Sequence, residues 1–211
     1  RACCEPVAAL MPPSRGAFEG AFLAMFQEEW RLARPEVPLR RIAIVDEKPA
    51  DQYLAPEFEL FRQLFEAHGI SAVIADPSEF AWDGERLLQA GQPVDLVYNR
   101  LTDFSLEEPA NAALRAAWDT DAAVITPHPR AHALYADKRN LVALGDAAWL
   151  AEIGVSADAR RLIADMVPAT VAVIAAAGER FWAERKRWFF KPAAGYGSKA
   201  AYRGDKLTKR V

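Results

Sequence analysis

The sequence contains few cysteines and histidines and no hydrophobic run long enough to cross a bilayer. Its two cysteines, Cys3 and Cys4, are adjacent, so they cannot build a disulfide framework or supply the ligands of a structural zinc site. The three histidines, His68, His128 and His132, do not form a convincing metal set, because no third ligand stands near the latter two. The first residues lack the charged-then-apolar plan of a secretory signal. We therefore predict a cytoplasmic protein with no membrane association and no metal ligands of its own.

Three common catalytic motifs are also missing. The spacing Gly-x-x-x-x-Gly-Lys-Ser/Thr does not occur, and no Gly-x-Gly-x-x-Gly follows the strand predicted at Ile42. P-loop NTPases and standard dinucleotide dehydrogenases therefore lose support. A Ser-His-Asp hydrolase is unsupported as well, because no Gly-x-Ser-x-Gly elbow is present.

The composition is that of an ordinary globular protein. The chain has 211 residues, of which 52% are hydrophobic and 26% charged, a length that suits one large domain or two small ones. It carries 26 Lys and Arg against 29 Asp and Glu, so its net charge of -3 gives no general attraction for nucleic acid. We interpret the basic run Arg185-Lys186-Arg187 as a solvated helix end.

Strands and helices alternate between about residues 41 and 126. Strands are predicted at residues 41–46, Ser71–Ala75, 94–98 and 122–126, and helices at residues 17–30, from Pro56 toward His68 and at 106–118. This alternation predicts an α/β fold with a parallel sheet wound by crossover helices, roughly a Rossmann-like unit. In such sheets, ligands bind at the carboxyl ends of the strands.

The pattern becomes more helical after Thr126. Helices are predicted at residues 137–144 and at Ala157–Met166, and strands at residues 167–173 and 188–190. We expect a second, incomplete domain here. Because the chain starts at Arg1 rather than Met and stops at Val211, we also expect it to be a piece of a longer protein.

Two lysines and a glycine-bearing loop are the best functional clue. Lys191 follows the apolar run at residues 188–190 and opens a loop that contains Gly195 and Gly197, and Lys138 precedes it in the chain. Glycine tolerates positive φ, so such a loop can turn its N–H groups toward one point, and lysine adds a positive charge. The combination suits a nucleotide phosphate. The alternative is that a Lys-Pro turn with glycines links two strands without any chemistry.

The order of these motifs resembles the beginning of an ATP-grasp domain. Four segments carry the resemblance: Thr126-Pro127-His128-Pro129-Arg130-Ala131, Tyr135-Ala136-Asp137-Lys138, Phe189-Phe190-Lys191-Pro192 and the loop from Gly195 to Lys199. ATP-grasp proteins include glutathione synthetase and D-alanine:D-alanine ligase, in which an Asp-Lys pair lies on a helix. The resemblance implies an N-terminal helix and Rossmann-like preATP-grasp domain at residues 1–125. The first part of a truncated ATP-binding domain would occupy residues 126–211.

The resemblance also implies an activity. Lys138 and Lys191 would contact the phosphates of ATP, and the lid of the nucleotide would consist of Gly195, Tyr196, Gly197 and Ser198. Enzymes of this kind phosphorylate a carboxylate to an acyl phosphate, which an amine then attacks. The chain would be the N-terminal fragment of an ATP-dependent carboxylate-amine ligase that is inactive alone, with its Mg²⁺ ligands outside these residues. Family loops often have glycine where this chain has Ser198 and Ala200, so we expect a stiffer loop.

Polar residues near strand ends are candidates for substrate binding. Asn99 and Arg100 follow the strand predicted at residues 94–98, where the Arg100 guanidinium is suited to clamp a substrate carboxylate. The alternative is that Arg100 ties its loop to a nearby acid, Asp103 or Glu107. Asp46 and Glu47 could likewise orient a substrate amine, although a solvated turn is the simpler interpretation.

A second class of function stays open on the sequence alone. The chain could be a non-catalytic, Rossmann-like binding module for a small molecule or a protein. The predicted helix at residues 17–30 places aromatic and aliphatic side chains on one side, which could then dock a partner. A homo-oligomer is compatible with either class.

Overall fold

The computed structural model of the chain describes residues 15–208, which fall into two compact units. Unit 1 is Arg1–Arg130 and unit 2 is Ala131–Val211. Cys3, Cys4 and residues 209–211 lie outside the described residues. Within residues 15–208, no helix has the length and apolarity that a bilayer crossing requires.

The chain forms eight α-helices and nine strands within the described residues. The helices are α1 (Arg15–Ala33), α2 (Ala55–Ala67), α3 (Ala112–Asp119), α4 (Pro129–Tyr135), α5 (Asn140–Leu144), α6 (Ala147–Glu152), α7 (Ala157–Met166) and α8 (Gly178–Ala183). The strands are β1 (Arg41–Val45), β2 (Ser71–Ala75), β3 (Phe80–Trp82), β4 (Leu87–Gln89), β5 (Gln92–Pro93), β6 (Leu96–Asn99), β7 (Val124–Thr126), β8 (Phe189–Phe190) and β9 (Tyr202–Arg203).

A parallel sheet of four strands, in the order β2-β1-β6-β7, forms the centre of unit 1. One face is covered by α1 and α2, which bury Phe26, Phe58 and Phe65 with Ile42 and Ile44 of β1. Helix α2 forms because its phenylalanines recur every three or four residues. Pro56 is the second residue of this helix, a position that proline favours, and the helix ends before Gly69, whose φ is +77°.

The other face of the sheet packs against α3 and a small antiparallel sheet of β3, β4 and β5. Here Leu87 and Leu114 are buried with Ala43 and Val45 of β1. Neighbouring residues of β1 thus point to opposite faces, as the pleat of a strand requires. The prediction of an α/β fold with a Rossmann-like parallel sheet is confirmed at this level.

In unit 1 the structure differs from the prediction at one helix and contains a sheet that the sequence did not predict. The helix predicted at residues 106–118 begins only at Ala112, after a short 3-10 helix at Pro109–Asn111. Glu108 is extended, with ψ 141°, because a residue that precedes proline avoids the helical region. The antiparallel sheet was not predicted, although Asp83-Gly84 and Ala90-Gly91 mark its two turns.

Unit 2 consists mainly of short helices and one strand pair. Among its described residues, Leu150 and Phe181 are the buried apolar side chains. The strand predicted at residues 167–173 is wrong: this segment has no regular secondary structure and pairs with no strand in the described part of the chain. Its β-branched residues favour extended backbone, whereas pairing also needs a neighbouring strand. The helix predicted at residues 137–144 begins later, at Asn140.

Candidate functional site

The glycine-bearing loop of unit 2 is the connection of a β-hairpin. Strands β8 and β9 are antiparallel, with Phe189 opposite Arg203 and Phe190 opposite Tyr202. Lys191 therefore leaves the end of β8, as the sequence predicted. Its Nζ atom lies 5.3 Å from the centroid of the Phe189 ring, a distance at which a cation is attracted to an aromatic face.

Lys138 contacts this loop from a distant part of unit 2. Its backbone N–H donates to the carbonyl of Ala193 over 2.9 Å, and its Nζ donates to the carbonyl of Gly195 over 3.1 Å. Lys138 and Gly195 are 57 residues apart in the sequence. The structure therefore brings one predicted phosphate-binding lysine onto the predicted phosphate-binding loop.

The turn that carries Lys138 is held by its neighbours. The Asp137 carboxylate accepts a hydrogen bond from the Arg139 N–H over 2.8 Å and pairs with the Arg139 guanidinium. The Arg139 side chain and backbone N–H both lower the pKa of Asp137. This local turn explains why α5 begins at Asn140, so Lys138 lies just before a helix rather than on one.

The backbone of the loop is left-handed at four residues. The φ angles are +133° at Gly195, +61° at Gly197, +57° at Ser198 and +54° at Ala200. Glycine adopts such angles freely, whereas Ser198 and Ala200 do so against the preference of L-residues. Within residues 15–208, the N–H groups of Gly195, Gly197 and Ser198 donate to no protein atom. Exposed N–H groups in such a turn are available to an anion.

The charges of the chain are divided unequally between the units. Unit 2 contains 14 Lys and Arg against 8 Asp and Glu, whereas unit 1 contains 12 against 21. The segment Arg185–Arg187 forms a short 3-10 helix, with Lys186 and Arg187 exposed. An excess of positive charge favours the approach of anionic ligands to unit 2.

Unit 1 contains a second candidate site at the carboxyl edge of its parallel sheet. Strand β1 has β2 on one side and β6 on the other, so chain order reverses between β1 and β6. Asp46 follows β1 and Arg100 follows β6, and the Arg100 N–H donates to the Val45 carbonyl over 2.8 Å. This point of reversal is where open α/β sheets bind ligands.

The Arg100 side chain lies among aromatic rings. Its guanidinium carbon is 5.3 Å from the ring centroid of Tyr98 and 5.7 Å from that of Phe58. Its Nη1 donates to the Tyr98 hydroxyl over 2.9 Å, and its Nη2 lies 3.4 Å from a carboxylate oxygen of Glu57. Glu57 was not identified from the sequence, because an acid in the first turn of a helix is an ordinary feature there.

The two acids that the sequence offered as partners of Arg100, Asp103 and Glu107, do not form its ion pair. Asp103 accepts hydrogen bonds from the Glu108 N–H over 2.8 Å and from the Asn111 amide over 2.7 Å. The acid that pairs with Arg100 is Glu57 on α2, rather than Asp103 or Glu107. The sequence missed this pair because it joins two elements that are distant in the chain.

The other predicted residues at this edge have different surroundings. Asn99 is buried, and its side-chain oxygen accepts from the Leu101 N–H over 3.0 Å, which shapes the turn after β6. Burial raises the pKa of Asp46, against the opposing effects of the Glu47 N–H and the Arg100 charge. Burial also raises the pKa of Tyr98. Glu47 is exposed.

Other features of residues 15–208 offer no alternative centre. No three His, Cys, Asp or Glu side chains of this part lie close enough together to hold a metal ion. The His128 ring contacts the Trp118 indole N–H at 3.2 Å, and His68 contacts the Leu64 carbonyl at 2.8 Å. Two open depressions of about 420 and 520 Å³ flank α3, and no predicted site residue lines them.

Comparison with known proteins gives no matching protein-family model and no significant match to a curated protein. The geometry of the two sites is therefore the basis for a proposed function.

Proposed function

We propose that unit 2 binds the phosphates of ATP and that the protein acts as an ATP-dependent carboxylate-amine ligase of the ATP-grasp type in the cytoplasm. The observation that carries this proposal is the contact of Lys138 with Ala193 and Gly195 in the loop that Lys191 opens. A loop that only connects two strands does not require a contact with a lysine from a distant segment of the chain.

Each part of the loop has a proposed role. Lys191 and Lys138 neutralise phosphate charge, and the N–H groups of Gly195, Gly197 and Ser198 donate to phosphate oxygens. Tyr196 lies between these donors and covers the nucleotide. Phosphoryl transfer depends on positioning and charge neutralisation, which these groups supply. Residues 15–208 provide no cluster of metal ligands, so the proposal assigns Mg²⁺ no protein ligand in this segment.

In this proposal, unit 1 binds the carboxylate substrate. The Arg100 guanidinium is placed at the point where chain order reverses, and it would hold the carboxylate that becomes the acyl phosphate. The buried Asn99 keeps the turn in position rather than touching substrate. The amine is the second substrate.

The proposal is tested by measuring ATP affinity after loss of the lysines. We expect Lys138→Ala and Lys191→Ala each to weaken ATP binding by at least about tenfold, because each removes a charge that contacts phosphate. Lys186→Ala is the matched control, since it removes an exposed lysine of unit 2 outside the loop. Equal affinity in all three variants and the parent protein contradicts the proposal.

A non-catalytic binding module is the second candidate. Helix α1 favours it, because Phe18, Phe22 and Met25 are exposed on it and could contact a partner. The same titration separates the two candidates. A binding module without nucleotide chemistry shows no ATP affinity in the parent protein.

A further inference from the structure

The guanidinium of Arg100 is held in place but only partly used as a hydrogen-bond donor. Its one protein hydrogen bond within residues 15–208 is to Tyr98, and its contact with Glu57 is a single one at 3.4 Å. Arg62, on the same helix as Glu57, forms two hydrogen bonds of 2.6 and 2.8 Å with Glu59. Arg100 therefore keeps donors that are suited to a planar, bidentate carboxylate.

The two partners differ in their freedom to move. The Arg100 side chain is 26% exposed and lies over the rings of Phe58 and Tyr98, whereas the Glu57 side chain is 41% exposed. Glu57 belongs to the first turn of α2, where its carboxylate is also favoured by the helix N-terminus. A competing carboxylate would thus displace Glu57 into water and leave Arg100 in position.

We infer that Arg100 anchors a binding site for a small monocarboxylate at the point of strand reversal in unit 1, and that Glu57 is an internal competitor for this site. The inference rests on the proposed substrate role of Arg100 and adds a residue that limits affinity. Glu57 pairs with Arg100 in the absence of ligand, and the incoming carboxylate replaces one negative charge with another.

The charges around the site set the class of ligand. Asp46 and Glu47 follow β1 at the same edge, and unit 1 as a whole has an excess of acidic residues. A second carboxylate on the ligand would meet these groups and be repelled. The site is therefore expected to accept acetate or glycine and to reject succinate.

The experiment titrates the protein with acetate while the Nε–H signal of Arg100 is followed by NMR. Replacing Glu57 by Gln keeps the size of the side chain and removes its charge. A half-exposed ion pair is favoured over its separated side chains by at most about fivefold. Removing the competition from Glu57 by Glu57→Gln should therefore tighten acetate binding about two- to fivefold. Glu59→Gln is the matched control on the same helix, and its affinity should equal that of the parent protein.

Two further variants and ligands complete the test. Arg100→Lys retains the charge but loses the planar fork, so acetate binding should weaken by about tenfold. Succinate should bind more weakly than acetate. The inference is overturned if acetate leaves the Arg100 signal unchanged, or if Glu57→Gln and Glu59→Gln have the same affinity.

The outcome is separable from that of the ATP titration. The Glu57→Gln variant should bind ATP as the parent protein does, because unit 2 carries the proposed nucleotide loop. If ATP binds but acetate leaves the Arg100 signal unchanged, this inference alone is overturned. If acetate changes the Arg100 signal but ATP does not bind, the proposed function is overturned instead.

Discussion

Gly204 occupies a position in unit 2 where a side chain does not fit. A Cβ atom there would lie 1.8 Å from the Arg185 carbonyl oxygen and 2.8 Å from that of Trp188. Its N–H donates to the Trp188 carbonyl over 2.9 Å, so the close approach is part of the hydrogen bonding that follows β9. The sequence did not identify this glycine, because the need for it arises from backbone that is distant in the chain.

We predict that Gly204→Ala destabilises unit 2 by about 1–3 kcal/mol, the usual cost of overpacking. Urea unfolding followed by tryptophan fluorescence measures this change. Gly178→Ala is the control: apart from its chain neighbours and the backbone of its own helix, no atom lies within 4 Å of the added Cβ, and alanine favours the helix that begins there. Equal stability of the Gly204 variant and the parent protein would show that the backbone segments do not approach as described.

Asp46 offers a prediction on pH. Because burial raises the pKa of Asp46 in the folded protein, its ionised form is less favourable there than in the unfolded chain. Asp46→Asn should therefore unfold at a higher urea concentration than the parent protein at neutral pH. The advantage should shrink as the pH falls below the folded pKa, and it should vanish below the ordinary pKa of an aspartate, where both states are protonated.

Asp76 provides the control of opposite sign. A hydrogen bond from the Ser78 hydroxyl lowers its pKa, with further lowering by the N–H groups of Lys48 and Ser78. Asp76→Asn should reduce stability at neutral pH, and this loss should shrink as the pH falls below the ordinary pKa of an aspartate. If Asp46→Asn lowers stability at neutral pH as Asp76→Asn does, the surroundings assigned to Asp46 are wrong.

A cluster of aromatic rings joins α1, α2 and β6. The Phe26 ring meets those of Phe65, Tyr98 and Phe61 at centroid distances of 5.1, 4.9 and 6.0 Å, with steeply inclined planes. Phe26 is 1% exposed. The cluster packs the two helices onto the sheet and sets the position of Tyr98, which holds Arg100.

We predict that Phe26→Ala lowers the free energy of unfolding of unit 1 by about 3–5 kcal/mol, since it leaves a cavity among these rings. Denaturant unfolding measures the loss. Phe18→Ala, on the same helix but with a side chain that is 56% exposed, should change stability by less than about 1 kcal/mol. Similar losses at both positions would contradict the packing of α1.

The elements that could be predicted are those with a local signal. The ranges Ser71–Ala75 and Ala157–Met166 agree with the structure, because alternation or helical spacing marks each of them. The segment at residues 167–173 has the composition of a strand, yet pairing depends on a neighbour that local patterns do not reveal. The short strands β3 to β5 were missed because runs of two or three residues carry little periodicity.

The individual residues of the candidate sites could be predicted from the sequence, but the contacts between them could not. The sequence indicated Lys138, Lys191, the glycine loop and Arg100, since each stands beside a recognisable turn or strand end. It did not reveal that Lys138 donates to Gly195 or that Glu57 pairs with Arg100. Both contacts join segments that only the folded chain brings together.

The unequal charge of the two units agrees with the proposal that unit 2 binds the nucleotide and unit 1 the carboxylate. An excess of Lys and Arg in unit 2 favours a polyphosphate, and the acidic excess of unit 1 disfavours one. The charges thus support our proposal that the nucleotide binds the loop of unit 2 and that the small carboxylate binds Arg100 in unit 1.

The most direct test of this assignment is amide hydrogen exchange in the protein alone, with ATP and with adenosine. We predict that ATP slows exchange at the backbone amides of residues 193–201 and at Lys138, because phosphate oxygens accept hydrogen bonds from the loop. Adenosine, which lacks phosphates, should leave these amides unchanged. If the loop amides exchange at the same rate with and without saturating ATP, this loop does not bind the phosphates of ATP.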